Sequence, residues 1–209
     1  MIGENEFIEI SFLKRLFDIT ASLVILIILF PFLLLFYLVL MVEIIFSKQA
    51  RGPLFYCEKR ITEGKEYLHC KIRTCKQVIY DRELIEKGHI QTATVESKRE
   101  NFLKVGWWIK KTYLDEAPQL FNVLKGDLSL VGPRPKPVYE YKEYINRGAY
   151  TKKAIRGGLT GLYQSYKGGW GDKTDVDFDG DYIKFCKMHS NWQVVWCDIK
   201  ILFRTLKVV

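Results

Sequence analysis

ITASLVILIILFPFLLLFYLVLMV, residues Ile19–Val42, contains no charged side chain. About 20 apolar residues are enough to fill a bilayer core of ~30 Å. A helix in a soluble core is rarely apolar on every face for so long. The stretch is unlike a cleavable signal, because Glu4, Glu6 and Glu9 precede it and it exceeds the usual apolar region of a signal peptide. Pro31 falls near its middle, where it removes a backbone donor and bends the helix. As one straight helix, residues 14–47 would reach about 50 Å, with about 25 Å on either side of Pro31. Lys14 and Arg15 lie before the run, and Lys48 and Arg51 after it. Positive charge on both flanks favours neither orientation and suits both ends staying cytoplasmic. Two readings stay open: a re-entrant hairpin with its bend at Pro31, or a single tilted, kinked span. The expected division is a leader over 1–13, a re-entrant helix-break-helix over 14–47, and one domain over 48–209.

About 160 residues remain outside the membrane segment, the size of one compact domain. The formal net charge is +8 and the pI about 9.1. Beside an apolar anchor, that charge suits anionic headgroups or phosphate-bearing substrates. Nucleic acid is the other reading of such a charge; here the basic residues alternate with acids, and no nucleic-acid partner is expected. Five cysteines, Cys57, Cys70, Cys75, Cys186 and Cys197, make an odd number without a C-x-x-C pair. Disulfides are therefore not expected, and a reducing compartment is. His69, His89 and His189 show no zinc-ligand spacing with them.

The chemically richest stretch is LDEAPQLFNVLKGDLSLVGPRP, Leu114–Pro135. Pro118 suits the first turn of a helix, which places a helix start near Asp115. Leu114, Ala117, Phe121 and Leu124 then recur at helical spacing as a buried stripe, and Lys125-Gly126 is a stop. Asp115 and Glu116 would lie at the positive end of the helix dipole, which favours their ionised form. An ionised Asp can act as a nucleophile, and a neighbouring Glu can hold a hard cation such as magnesium. Taken alone, a capping Asp with an acidic first turn is the commoner meaning of such a pair.

Elsewhere the pattern gives a turn and short strand over Gly52–Arg60 and a second strand over Tyr67–Arg73, with Lys71 and Arg73 on one face. Residues 78–100 read as polar and mobile. Lys104–Lys111 mixes Trp with Lys, as at a membrane interface or in a core. Tyr139–Tyr150 reads as a helix. Arg156-Gly157-Gly158 and the following Leu159–Gln164 read as a turn, or as glycines that let backbone donors approach an anion beside Arg156. Gly168–Lys173 is also Gly-rich and completes no phosphate-loop motif. In the tail, Val195, Ile199, Leu202, Phe203 and Leu206 form an apolar helical stripe, either core or an interfacial amphipathic helix.

Together these residues resemble the bacterial sugar transferases, the monotopic phosphoglycosyl transferases. The resemblance runs from Lys14-Arg15-Leu16-Phe17-Asp18 to Thr205 and is most specific over Leu114–Leu120 and Val131–Pro135. Gly52–Tyr56, Lys71-Ile72-Arg73-Thr74 and Leu159–Gln164 support it. Departures are Phe30 where Ser often precedes the membrane proline, Gly64 in place of a glycine near position 62, and Cys75 where Met is common. The resemblance implies an α/β fold, mostly α with few short strands: a re-entrant membrane helix and one cytoplasmic catalytic domain with interfacial helices. It implies transfer of a phosphosugar from a UDP-sugar to polyprenyl phosphate with release of UMP, magnesium as cofactor, and residence at the cytoplasmic face of the bacterial inner membrane. Membrane lipids, and possible downstream glycosyltransferases, complete the implied partners. Asp115 maps to the nucleophile, Glu116 to its magnesium-linked partner and Arg134 to a phosphate ligand. Lys71, Arg73, Arg156, Gln164 and Asp179 complete the implied binding set. An N-acetylated sugar is expected; a hexose phosphate donor and a non-catalytic basic membrane adaptor are the alternatives.

Overall fold

The structure, a computed structural model, describes residues 2–87, 90–166 and 171–208. His89 and the Gly168–Trp170 part of the Gly-rich segment lie outside the described residues. Helices dominate, with few short strands, as the sequence implies. The chain divides into two compact units: Met1–Val24, Glu58–His69 and Gln119–Val209 form the first, Ile25–Cys57 and Cys70–Pro118 the second.

The apolar run lies within α1, Phe12–Phe46, a single helix with Pro31 inside it. The expected break at Pro31 therefore does not divide it into two elements; a proline can bend a helix without ending it. Among the described residues, α1 is the one helix long and apolar enough to cross a membrane, and its most apolar part is almost entirely unburied.

In the first unit the start of α1 is held by charge. Lys14 Nζ meets Asp198 Oδ2 at 2.5 Å and donates to the Val131 carbonyl at 3.1 Å. Asp18 accepts from Ser129 Oγ at 2.7 Å and the Leu130 N–H at 3.2 Å. Arg15 donates to the Val123 and Leu124 carbonyls at 2.5 and 2.7 Å. Lys14, Asp18 and Asp198 are buried, so removing one partner of the Lys14–Asp198 pair would cost roughly 3–5 kcal/mol. Two of the four flanking cations read as topology signals thus anchor the helix inside the protein.

Around this network lies a parallel pair, β3 (Ser129–Val131) and β5 (Gly158–Thr160), with Ser129 opposite Gly158 and Val131 opposite Thr160. The Gly-rich Arg156–Gln164 segment is therefore a strand leading into α8, Leu162–Ser165, and not a turn. A Cβ on Gly158 would come within 2.1 Å of the Gly132 nitrogen, so close backbone packing requires glycine there. β1 (Phe55–Thr62) and β2 (Lys65–Ile72) form a hairpin, and β4 (Lys136–Pro137) pairs antiparallel with β1 at Arg60↔Pro137 and Ile61↔Lys136. The helices α6 (Val138–Asn146), α9 (Asp175–Met188) and α10 (Asn191–Val208) also belong to this unit, with the short α7 (Thr151–Ala154) between α6 and β5. In α10 the buried residues are Val194, Val195, Asp198 and Ile201, whereas Phe203 and Leu206 are exposed. Of the expected stripe Val195 is buried and Phe203 and Leu206 are not, and Asp198 enters the core paired to Lys14.

The hairpin loop Glu63-Gly64 has φ of 50° and 74°, the two-residue turn with positive φ at both positions that matches strand twist. That register sets Cys57 opposite Cys70, and the two form a disulfide with Cα atoms 4.1 Å apart. This corrects the expectation of no disulfide. The cysteines are 13 residues apart, and only the hairpin register makes them neighbours.

In the second unit, Leu40 packs with Ala50, Leu103, Val105, Ile109 and Leu114. Residues 78–100, expected to be polar and mobile, include α2 (Gln77–Lys87) and a short α3 (Thr92–Val95). Tyr80 and Val95 from these helices form a small core with Cys75, so a minority of apolar positions orders an otherwise polar stretch. α4, Lys104–Lys111, buries Val105, Gly106 and Ile109 and leaves Trp108 exposed. A Cβ on Gly106 would sit 1.9 Å from the Thr74 carbonyl oxygen.

Candidate active site

α4 ends at Lys111 and the chain then reverses tightly. Thr112 Oγ1 donates to the Trp108 carbonyl at 2.9 Å, and Tyr113 adopts a left-handed conformation, φ 56°. A bulky residue there is strained by about 1–3 kcal/mol, a state that clusters at functional sites. One 3-10 turn follows, Leu114–Glu116, and α5 starts only at Gln119 and runs to Lys125. Asp115 and Glu116 therefore precede the α-helix instead of opening it, which corrects the expected helix start. In α5, Leu120 and Val123 are buried while Phe121 is 63 % exposed. The expected Leu114–Ala117–Phe121–Leu124 stripe loses its register at the change of helix type. The stop is as expected: Gly126 has φ 102° and bonds back to Asn122.

Asp115 is fully buried. Its Oδ2 accepts from Lys110 Nζ at 3.1 Å. Its Oδ1, also buried, has no hydrogen-bond partner among the described residues. Lys110 Nζ also meets Glu96 Oε2 at 2.9 Å, and Lys71 Nζ donates to Glu116 Oε1 at 3.0 Å. The cluster is thus two ammonium groups threaded among three carboxylates.

Burial pushes the Asp115 carboxyl up to about 6; Lys110 opposes the rise, Glu116 adds to it and Lys71 opposes it. The helix dipole was expected to favour the ionised form, but desolvation outweighs any dipole effect. With a pKa near 6, about nine-tenths of Asp115 is still ionised at pH 7. Burial alone would lower the Lys110 ammonium, yet Asp115 and Glu96 raise it above its ordinary value. Lys110 therefore stays charged and holds Asp115 as an anion.

Lys110 and Glu96 were missed in the sequence. A cation five residues before the dyad is a visible signal, but beside two tryptophans it equally suits a membrane interface or a core. Nothing local marks Glu96. Arg73, expected to bind substrate, donates to three backbone carbonyls instead: Pro53 at 2.5 Å, Ala50 at 2.6 Å and Cys75 at 2.9 Å. It ties the loop after α1 to the end of β2.

The remaining expected residues belong to the first unit. Arg134 lies half-buried between Pro133 and Pro135, in the loop from β3 to β4. The Arg156-Gly157-Gly158 backbone packs on that loop: Gly158 N–H donates to the Pro133 carbonyl at 3.0 Å, and Gly157 N–H to Thr62 Oγ1 at 2.8 Å. The Gly157 and Gly158 N–H groups are thus engaged within the protein and are not open to an anion. Arg156 Nε lies 3.5 Å from Glu63 Oε1. Gln164 Oε1 is buried without a partner among the described residues. Asp179, on α9, is buried against Lys152 Nζ at 2.5 Å, and burial pushes its carboxyl up to about 6 in spite of that cation. Its charge is matched inside the protein by Lys152.

Among the described residues no three His, Cys, Asp or Glu side chains gather as a self-sufficient metal cage. Magnesium needs no such cage: one or two carboxylates plus substrate phosphates suffice. Glu116, partly exposed beside an Asp with an unpartnered oxygen, fits that mode.

Residues 9–209 match the model of the bacterial sugar transferase family. The chain is 40 % identical to an undecaprenyl-phosphate galactose phosphotransferase of Salmonella typhimurium over 95 % of this chain and 40 % of that protein. It is 32 % identical to a UDP-glucose:undecaprenyl-phosphate glucose-1-phosphate transferase of Escherichia coli, over 93 % of this chain and 39 % of that protein. It is likewise 32 % identical to the exopolysaccharide production protein ExoY of Rhizobium meliloti, over 94 % of this chain and 84 % of that protein. The chain spans about two fifths of the length of the first two of these relatives. With the model matched across nearly its whole length, the chain belongs to the bacterial sugar transferase family.

Proposed function

We propose that the chain transfers a sugar phosphate from a UDP-sugar to a polyprenyl phosphate through a phosphosugar carried on Asp115. The observation that supports this most is the asymmetry of Asp115: Lys110 fixes Oδ2 and leaves Oδ1 unpartnered. In the first step Oδ1 attacks the sugar-bearing phosphorus. The bond from that phosphorus to the bridging oxygen breaks, and UMP leaves with the electron pair. In the second step a phosphate oxygen of the polyprenyl acceptor attacks the same phosphorus and Asp115 departs as a carboxylate. Burial of Asp115 keeps water from the acyl phosphate between the two steps. Glu116, oriented by Lys71, would hold magnesium. When bound, the ion neutralises charge on the diphosphate.

The names of the relatives carry galactose and glucose, which favours a hexose over the N-acetylated sugar expected from the sequence. The test is UMP release from UDP-galactose, UDP-glucose and UDP-N-acetylglucosamine with undecaprenyl phosphate in detergent. Release with a hexose donor, stopped by EDTA and restored by magnesium, is expected. No UMP with any donor would remove the transferase reading, and full activity in EDTA would remove the metal.

Arg134 is proposed to bind phosphate. Pro133 and Pro135 restrict the backbone on both sides, and a planar fork of donors fits phosphate better than an ammonium. Arg134→Lys is expected to lower kcat/KM about 10- to 100-fold with an unchanged melting temperature. Near wild-type turnover would make the arginine structural.

A membrane location at the cytoplasmic face is proposed from α1. Its first turns are bound into the first unit through Lys14 and Asp18, and its last turns into the second through Leu40 and Glu43. Pro31 inside α1 and the basic residues on both of its flanks support a re-entrant hairpin with both ends on one membrane face. Cysteines introduced at Asn5 and Ala50 should both resist an impermeant thiol reagent in intact cells. Labelling at position 5 alone would show a spanning helix.

A further inference from the structure

Glu43, near the end of α1, places both carboxylate oxygens on the start of α4. They accept from the Lys104 N–H at 2.8 Å and the Val105 N–H at 3.1 Å. Two cavities meet at this junction, sharing Glu43, Ser47 and Lys104.

The first, of about 410 Å³, has a mixed polar and apolar lining and carries three cations, Lys76, Arg99 and Lys104. Two acids also line it, Glu43 and Glu100. Three cations against two acids leave the lining with a net positive charge. Arg99 is steadied over the Trp107 ring, 4.4 Å from its centre.

The second, of about 640 Å³, is a mostly apolar groove. Leu35, Val39, Val42 and Phe46 line it from one stripe of α1, with Val105 and Trp108 from α4. Both volumes lie within the ~300–1,000 Å³ range of ordinary ligand sites.

A basic pocket that opens into an apolar groove has the polarity of an amphiphile with an anionic head. We propose that this junction binds one membrane phospholipid with an anionic headgroup, its phosphate among Lys76, Arg99 and Lys104 and an acyl chain along the α1 stripe. The inference rests on the reading of α1 as a membrane helix. The groove runs along that helix, so a bilayer lipid is the amphiphile at hand. The acceptor lipid fits less well, because its phosphate must reach Asp115. Lys104 and Lys110 are six residues apart on α4, about 9 Å along its axis, and it is Lys110, at the far end, that meets Asp115.

The test is lipid retention by the full chain in native mass spectrometry from detergent micelles doped with phosphatidylglycerol or phosphatidylcholine. One phosphatidylglycerol per chain is expected, in at least about fivefold preference. Arg99→Gln and Lys104→Gln should each weaken retention about fivefold. Both variants should still form the phosphosugar adduct with a UDP-sugar. With the unaltered chain, shortening the acyl chains from about sixteen to about six carbons should weaken retention at least about tenfold.

Equal retention of the two lipids, insensitivity to both variants, or indifference to chain length would overturn the proposal. So would equal binding of glycerol 1-phosphate, which would make the pocket an anion site only. Displacement of phosphatidylglycerol by stoichiometric undecaprenyl phosphate would reassign the pocket to the acceptor. Specific lipid retention without UMP release from any UDP-sugar would sink the transferase reading and leave the lipid site standing.

Discussion

Asp115→Asn forms no phosphosugar adduct and turns over at least about 10⁴-fold more slowly than the unaltered chain. Removing a covalent nucleophile produces losses of this size or larger, because the groups around it act as a unit. The expectation comes from the isolation of Oδ1: it is buried, unpartnered among the described residues, and attached to a carboxylate whose other oxygen is fixed by Lys110. An amide keeps the shape of the side chain but cannot form the acyl phosphate. Intact-mass measurement after mixing with UDP-hexose and magnesium, without lipid acceptor, reads the result directly. The unaltered chain gains the mass of one phosphosugar, and Asp115→Asn gains none. An adduct that persists in the variant would move the nucleophile elsewhere. Absence of any adduct in the unaltered chain, with sequential kinetics, would leave a single displacement onto the acceptor.

The dyad and the arginine between two prolines were legible because both depend on adjacent residues. Chain neighbours such as Asp115-Glu116 stay neighbours in any fold. The apolar run was legible for the same reason: Ile19–Val42 declares itself without a partner. What escaped notice depends on tertiary register. Cys57 and Cys70 meet through a two-residue turn. Asp198 breaks the apolar stripe of α10 yet is buried, because Lys14, 184 positions away, neutralises it. Arg73 looked like a substrate ligand on an exposed strand face, but the loop after α1 brings carbonyls to its guanidinium. Glu96 reaches Lys110 only because a few apolar residues order a segment that is polar on average. The upward shift of the Asp115 carboxyl is hidden from the sequence for a related reason. A helix dipole can be read from a helix start, whereas burial requires the packed structure.

Lys110→Gln should separate the electrostatic role of that lysine from its role in packing. Asp115 faces Lys110, Glu116 and Lys71, and Lys110 also faces Glu96. Removing the cation withdraws the largest influence holding Asp115 down and leaves Glu96 uncompensated nearby, so both changes favour the protonated acid. The sign follows: the carboxyl, already at about 6, moves further up, and the acid limb of adduct formation moves toward neutral pH. A cation at this distance holds a carboxylate down by roughly 1–3 pH units. The adduct-forming rate at pH 6 should therefore fall about five- to five-hundredfold, while at pH 9 it stays within a few-fold of the unaltered chain. Lys110→Arg, which keeps the charge, should restore the limb to near its original position. Single-turnover rates of adduct formation from pH 5 to 9 provide the measurement. If Lys110→Gln lowers the rate by one factor at every pH, the lysine positions the loop and leaves the charge of Asp115 alone. If its profile superimposes on that of the unaltered chain, the 3.1 Å contact has no part in readying the nucleophile.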